Sequence, residues 1–153
     1  MIEKLDIKLI KDERNNFDIG IGSDGDLLAT DGFDTSILLS LGTDARASES
    51  EVQDSIKRRG YVGDEFFDNE NFNHGSKLWL LEQARVTNDT RNSAVNYAEL
   101  ALQWFVDENY LDSVTASGLL SPTQITISIK GITREGNTES FSYQVWNNTL
   151  GNL

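Results

Sequence analysis

The period of the hydrophobic residues changes once along this chain, and that change limits the folds open to it. Between Thr90 and Glu108, Ala94, Val95, Ala98, Ala101, Leu102 and Phe105 recur at three- and four-residue spacing. That is the pattern of a helix with one buried face. From Ser113 onward the spacing is two. Ile125, Ile127 and Ile129 alternate with Thr126, Ser128 and Lys130. Gly136-Asn137 marks a turn, and Phe141, Tyr143 and Val145 then alternate with Ser142 and Gln144. This predicts a β-hairpin packed by one face, with Val114 and its neighbours as a further strand. A long helix followed by such a hairpin buries both apolar faces by lying on it.

The earlier residues extend the same architecture. Residues 3–10 predict a strand, with Leu5, Ile7 and Leu9 alternating with Lys4, Asp6 and Lys8. Phe17, Ile19 and Ile21 repeat the alternation. Ser23-Asp24-Gly25-Asp26 is a tight-turn signal, and Leu27-Leu28-Ala29 returns as the partner strand of a hairpin. Asp34 is placed to cap a helix over about Thr35–Leu41, with Ile37, Leu38 and Leu41 on one side and Gly42 as its stop. A helix over about Ser76–Arg85 precedes the long one. The expected fold class is α+β: a mostly antiparallel sheet, built from N- and C-terminal hairpins, with about three helices on one face. Residues 1–153 are expected to form a single domain.

Composition removes several functions. Cys is absent, which excludes disulfides, thiolate chemistry and Cys-based metal sites. No apolar run approaches the roughly 20 residues of a membrane span. The N-terminus shows no basic region followed by an apolar core, so no signal peptide is expected. The net charge of −12 falls wholly on residues 1–115, which carry 11 basic and 23 acidic side chains; residues 116–153 carry two of each. Such a chain repels phosphate backbones, so nucleic acid is not an expected partner. The neutral C-terminal segment suggests one that lies against something.

The middle, residues 43–74, is polar and long for a connection. Loops of this length are functional or poorly ordered. It holds Lys57-Arg58-Arg59, the only consecutive basic residues, followed by Gly60-Tyr61-Val62-Gly63. Arginine forks pair with carboxylates, and aromatics and arginines are common interface anchors. Lys57, Arg58, Arg59 and Tyr61 are therefore the candidate partner-binding residues, with Gly60 and Gly63 as pivots. The competing reading is three solvated side chains beside Asp54, Asp64 and Glu65.

Other constellations are weaker. His74 is the only histidine and lies near no nucleophile-elbow motif, so a loop or capping role is expected of it. Asp24, Asp26, Asp31 and Asp34 do not match a calcium-loop spacing and read as turn and cap residues. Glu82 and Glu99 are the nearest approach to a glycosidase acid pair. Trp79, Trp104 and Trp146 are assigned to the core. No catalytic residue, cofactor or metal ligand is expected.

Five segments in order resemble a known family. They are Asp18-Ile19-Gly20 with Leu27-Leu28-Ala29-Thr30-Asp31-Gly32; Ser36 to Ala47; Arg58-Arg59-Gly60-Tyr61-Val62-Gly63-Asp64; Gly75-Ser76-Lys77-Leu78-Trp79-Leu80-Leu81 with Arg85-Val86-Thr87; and the Ala-rich helix with the closing hairpin. Together they resemble the baseplate protein of Mu-like contractile-tail phages and prophages, with Val62 in place of an expected bulky aromatic. The resemblance covers about Asp18 to Val145. It implies a non-enzymatic structural subunit of the virion tail baseplate, made in the host cytoplasm. Its implied role is similar to that of the wedge protein joining sheath to baseplate. Its expected partners are other baseplate and sheath proteins, in an oligomeric tail. The wider group has been called tail lysozyme, so a glycosidase using Glu82 or Glu99 is the alternative. An acidic decoy for a basic host factor is a third.

Overall fold

The computed structural model describes residues 6–11, 17–30, 33–66 and 73–147, with the side chains of Lys11, Val145, Trp146 and Asn147 outside that description. The expected strand residues 3–5, the turn residues Asp31 and Gly32, and the core assignment of Trp146 therefore lie outside the described residues. The chain divides into two compact units, Met1–Leu39 and Ser40–Leu153.

In the first unit, β1 (Asp6–Ile7) pairs antiparallel with β4 (Ala29–Thr30), and β2 (Leu9–Lys11) with β3 (Phe17–Ile19). The predicted 17–21/27–29 hairpin survives only at its tip. There Ile21 bridges Leu27, and the Gly22 N–H donates to Asp26 O at 2.8 Å. Gly25 adopts φ 86°, which the turn requires. The Asp24 carboxylate accepts from the Asp26 N–H at 3.2 Å, the turn role read for it. The strands are shared out because the chain steps at Lys8, whose N–H donates to Leu28 O while its carbonyl accepts from Gly20 N–H. Helix α1 (Asp34–Gly42) begins in this unit and ends in the next. Thr35 ties its start to the strands, donating its hydroxyl to Ile7 O at 2.7 Å.

The second unit is a helix laid on a three-stranded sheet. β5 (Leu111–Leu120), β6 (Gln124–Thr133) and β7 (Thr138–Asn147) are antiparallel in the order β5-β6-β7. The third strand is thus the one suspected around Val114. Helix α2 (Asn88–Leu102) starts where the Thr87 hydroxyl accepts from the Thr90 N–H. It breaks at Gln103, and one further turn, Trp104–Asp107, ends where Asn109 takes φ 63°. Ala94, Ala98, Leu102 and Phe105 are buried, as are Ile125, Ile127 and Ile129. Arg91 and Val95 crowd the Cα of Gly118, so the chain places its smallest residue where α2 meets β5. Trp104 stacks on Phe105 with ring centroids 3.9 Å apart, and its indole N–H donates to Ser40 Oγ at 3.1 Å.

Two expectations need correction. Among the described residues there are two α-helices of more than one turn, not three, and the strands fall into several small antiparallel sheets. The helix expected over Ser76–Arg85 is only a 3-10 turn, Leu78–Leu81. Its buried residues, Leu78 and Leu81, are three apart, and three residues per turn align them on one side. The Ser76 hydroxyl accepts from the Leu78 N–H at 3.3 Å while donating to Leu41 O at 2.7 Å, which ties the start of the turn to the end of α1.

Candidate functional site

Residues 43–66 of the polar middle form an ordered loop, held by contacts from one side chain after another. At its entry, Ser48 and Glu51 close a turn, with the Glu51 N–H donating to Ser48 O at 3.2 Å. The Glu51 carboxylate accepts from the Ser48 N–H and hydroxyl, both at 2.8 Å. The same carboxylate takes the Lys77 ammonium at 2.8 Å, fastening the loop to the segment after Gly75. The Lys77 bond, with help from Ser48, holds the Glu51 carboxyl well below its ordinary value, at about 2, against the opposing effect of burial. Asp54 then caps the 3-10 turn Ser55–Lys57 by accepting from Ile56 N–H.

Both arginines bond within the chain, Arg58 half-buried and Arg59 exposed. Arg58 Nε donates to Val52 O at 2.7 Å and its Nη2 to Gln53 O at 3.0 Å, so its planar head closes the turn that precedes it. The Arg58 carbonyl accepts from Ala47 N–H at 2.9 Å. Arg59 sits at φ 51°, a left-handed conformation that costs a non-glycine residue about 1–2 kcal/mol. Several contacts hold it there. Its fork grips both Glu82 carboxylate oxygens, at 3.0 and 2.9 Å, and reaches Asp44 Oδ2 at 2.9 Å. Its guanidinium lies 4.5 Å from the centre of the Trp79 ring. Trp79 is fixed in turn, its indole N–H donating to Ala45 O at 2.8 Å. Pairing with Glu82 first, then Asp44, raises the Arg59 pKa still further, against desolvation.

Glycine is required twice here. Gly75, at φ 93°, packs against the Thr43 carbonyl, where a Cβ would collide with backbone. Gly60, at φ 116°, lets the chain pass Arg46, whose Nη1 donates back to Arg59 O at 3.2 Å. Beyond it the Asp64 carboxylate accepts from His74 N–H and lies 2.6 Å from His74 Nδ1. Tyr61 meets the His74 ring edge-on. His74 thus has the loop role expected of it.

All four candidate partner-binding residues have internal contacts, Lys57 with Asp54 and Tyr61 with His74 included; Arg58 is half-buried, while Lys57, Arg59 and Tyr61 are exposed. The acceptors Glu82 and Asp44, the roof Trp79 and the Glu51–Lys77 pair were not singled out as parts of this site from sequence. The available signal was charge: an arginine pair in an acidic chain has many internal carboxylates to choose from. Exposed apolar side chains on the loop were also missed, namely Ile56, Val62 and Phe66. Elsewhere, Glu99 accepts from Ala116 N–H at 2.9 Å, which occupies it at the free side of β5. A shallow depression of about 380 Å³ on the three-stranded sheet is lined by Ser117, Ser128, Lys130, Ser142 and their neighbours, with no carboxylate among its lining residues.

Comparison with known proteins places this geometry in context. The model of a family described as phage protein GP46 matches residues 33–138. The Mu-like prophage FluMu protein gp46 of Haemophilus influenzae is 33% identical over 130 residues, 83% of this chain and 87% of that protein. The baseplate protein gp46 of Escherichia phage Mu is 42% identical over 87 residues, 55% of this chain and 58% of that protein. The match therefore spans little more than half the length of the Mu protein.

Proposed function

The chain belongs to the phage GP46 family of Mu-like phage and prophage baseplate proteins, and on that premise we propose that it is a non-enzymatic structural subunit of a contractile-tail baseplate. It assembles with neighbouring wedge or sheath proteins in the virion tail, after synthesis in the host cytoplasm. The loop 55–66, with Lys57, Arg58, Arg59 and Tyr61, is its docking element. One observation carries this reading: the loop is cross-braced by the Arg59–Glu82–Asp44 contacts yet leaves Lys57 and Tyr61 outward. A surface fixed in advance loses little freedom when a partner covers it. The glycosidase alternative has no comparable support. Its two acids are committed, Glu82 to the Arg59 fork and Glu99 to a strand amide.

The test is complementation of a phage or prophage lacking the gene. Tails purified after complementation should contain the chain, and sheathed particles should be absent without it. Sheathed tails forming normally in its absence would refute the assignment. Clearing of peptidoglycan by purified protein, lost in Glu82→Gln or Glu99→Gln, would favour the enzyme instead.

A further inference from the structure

Ile56 is 92% exposed, Phe66 81% and Val62 71%, on a loop whose neighbouring polar groups are bonded to one another. Exposed apolar side chains gathered on one loop are a feature of interaction sites. Building on the docking role of this loop, we infer that the contact is made by Ile56, Val62 and Phe66, and that its partner is a different baseplate protein presenting an apolar cleft with a basic rim. The arginines shape the loop and do not make the contact.

The charges around the loop argue for that rim. Arg58 has a side chain only 17% exposed and lies 3.8 Å from Glu49. Arg59 is shared by Asp44 and Glu82, and Lys57 lies 3.5 Å from Asp54. Acidic side chains face outward here: Glu49, whose contact with Arg58 leaves it 86% exposed, and Glu65, exposed beside Phe66. A basic rim complements this field and speeds encounter. A second copy of the chain brings the same acidic loop and a net charge of −12, so like charges oppose self-association here. The apolar groups supply the non-directional attraction, and the braced backbone removes the cost of ordering them.

The experiment combines variants with a cross-link in assembled tails. Ile56→Ser/Val62→Ser should unfold within about 2 °C of the parent, since neither side chain is buried. It should lower the count of sheathed tails by about tenfold or more, as loss of central contact residues does. Glu49→Lys/Glu65→Lys should lower the count in the same way. A photoreactive phenylalanine analogue at position 56 should cross-link, in purified tails, to a peptide of another baseplate protein.

Normal tails from the Ile56/Val62 variant would overturn the apolar contact and leave baseplate membership standing. A normal count from the Glu49/Glu65 variant would overturn the basic rim, and a cross-link to a second copy would overturn the partner. If the parent chain is missing from purified tails, the functional reading itself fails.

Discussion

Ile127 and Ile56 carry the same side chain in opposite settings. Ile127 is wholly buried in the central strand of the sheet, while Ile56 stands almost wholly in water at the loop. Ile125 and Ile129 beside Ile127 are buried too, and exposed positions on neighbouring residues of the sheet include Ser117, Ser128 and Ser142. Around Ile56 the order is inverted: charged and polar groups bond to one another inside the loop, and apolar groups face out. Apolar burial is non-directional and supplies most of a domain's stability. Ion pairs and hydrogen bonds at partly exposed sites add little net stability but fix geometry. The sheet region is thus built for stability and the loop for shape.

Substitutions can break that contrast, beginning with the largest effect. Leu102→Ala removes a wholly buried side chain beneath the sheet and should cost about 2–5 kcal/mol in a denaturant titration. A loss as small as a surface change would mean that the helix–sheet interface is not the main store of stability. Gly75→Ala comes next. It puts a Cβ into the Thr43 carbonyl at a left-handed position, and should cost about 1–3 kcal/mol in thermal unfolding from backbone strain, with the collision adding to it. A neutral result would show that the loop's exit is not held at that angle.

Acid gives a smaller effect. The Glu51 carboxyl is depressed in the folded state, so its stabilisation is fully present above its ordinary value near 4.5 and is lost as the pH falls towards about 2. The stability difference between the parent and Glu51→Gln should therefore shrink over that interval. Lys77→Met should remove most of the pH dependence in question. A difference that stays constant with pH would mean that the Glu51–Lys77 pair does not brace the loop.

The same contrast explains what could be read in the sequence. Helix α2 and strands β5 to β7 were legible because burial imposes a period, and Ala94, Ala98, Leu102, Ile125, Ile127 and Ile129 display it. The predicted hairpin tip around Gly25 was legible because a tight turn needs particular residues. The 3-10 turn at Leu78–Leu81 was not, since four apolar residues in a row carry no period. The loop's bracing was hidden for another reason. Arg59 meets Asp44 and Glu82, which are far from it in sequence and are chosen by the fold from 25 acidic residues. Charge alone marked Arg58 and Arg59 as special but said nothing about the direction in which they point.

The most direct test of this account is native-state hydrogen exchange on the parent and on Arg58→Ala/Arg59→Ala. If the arginines hold the loop from within, protection of the Ala47 and Ile56 amides should fall by about tenfold, equivalent to about 1.4 kcal/mol of local opening. The amides of Leu102 and Ile127 should keep their protection. Unchanged exchange at Ala47 and Ile56 would contradict the account, because the loop would then hold its shape without the two side chains assigned to brace it.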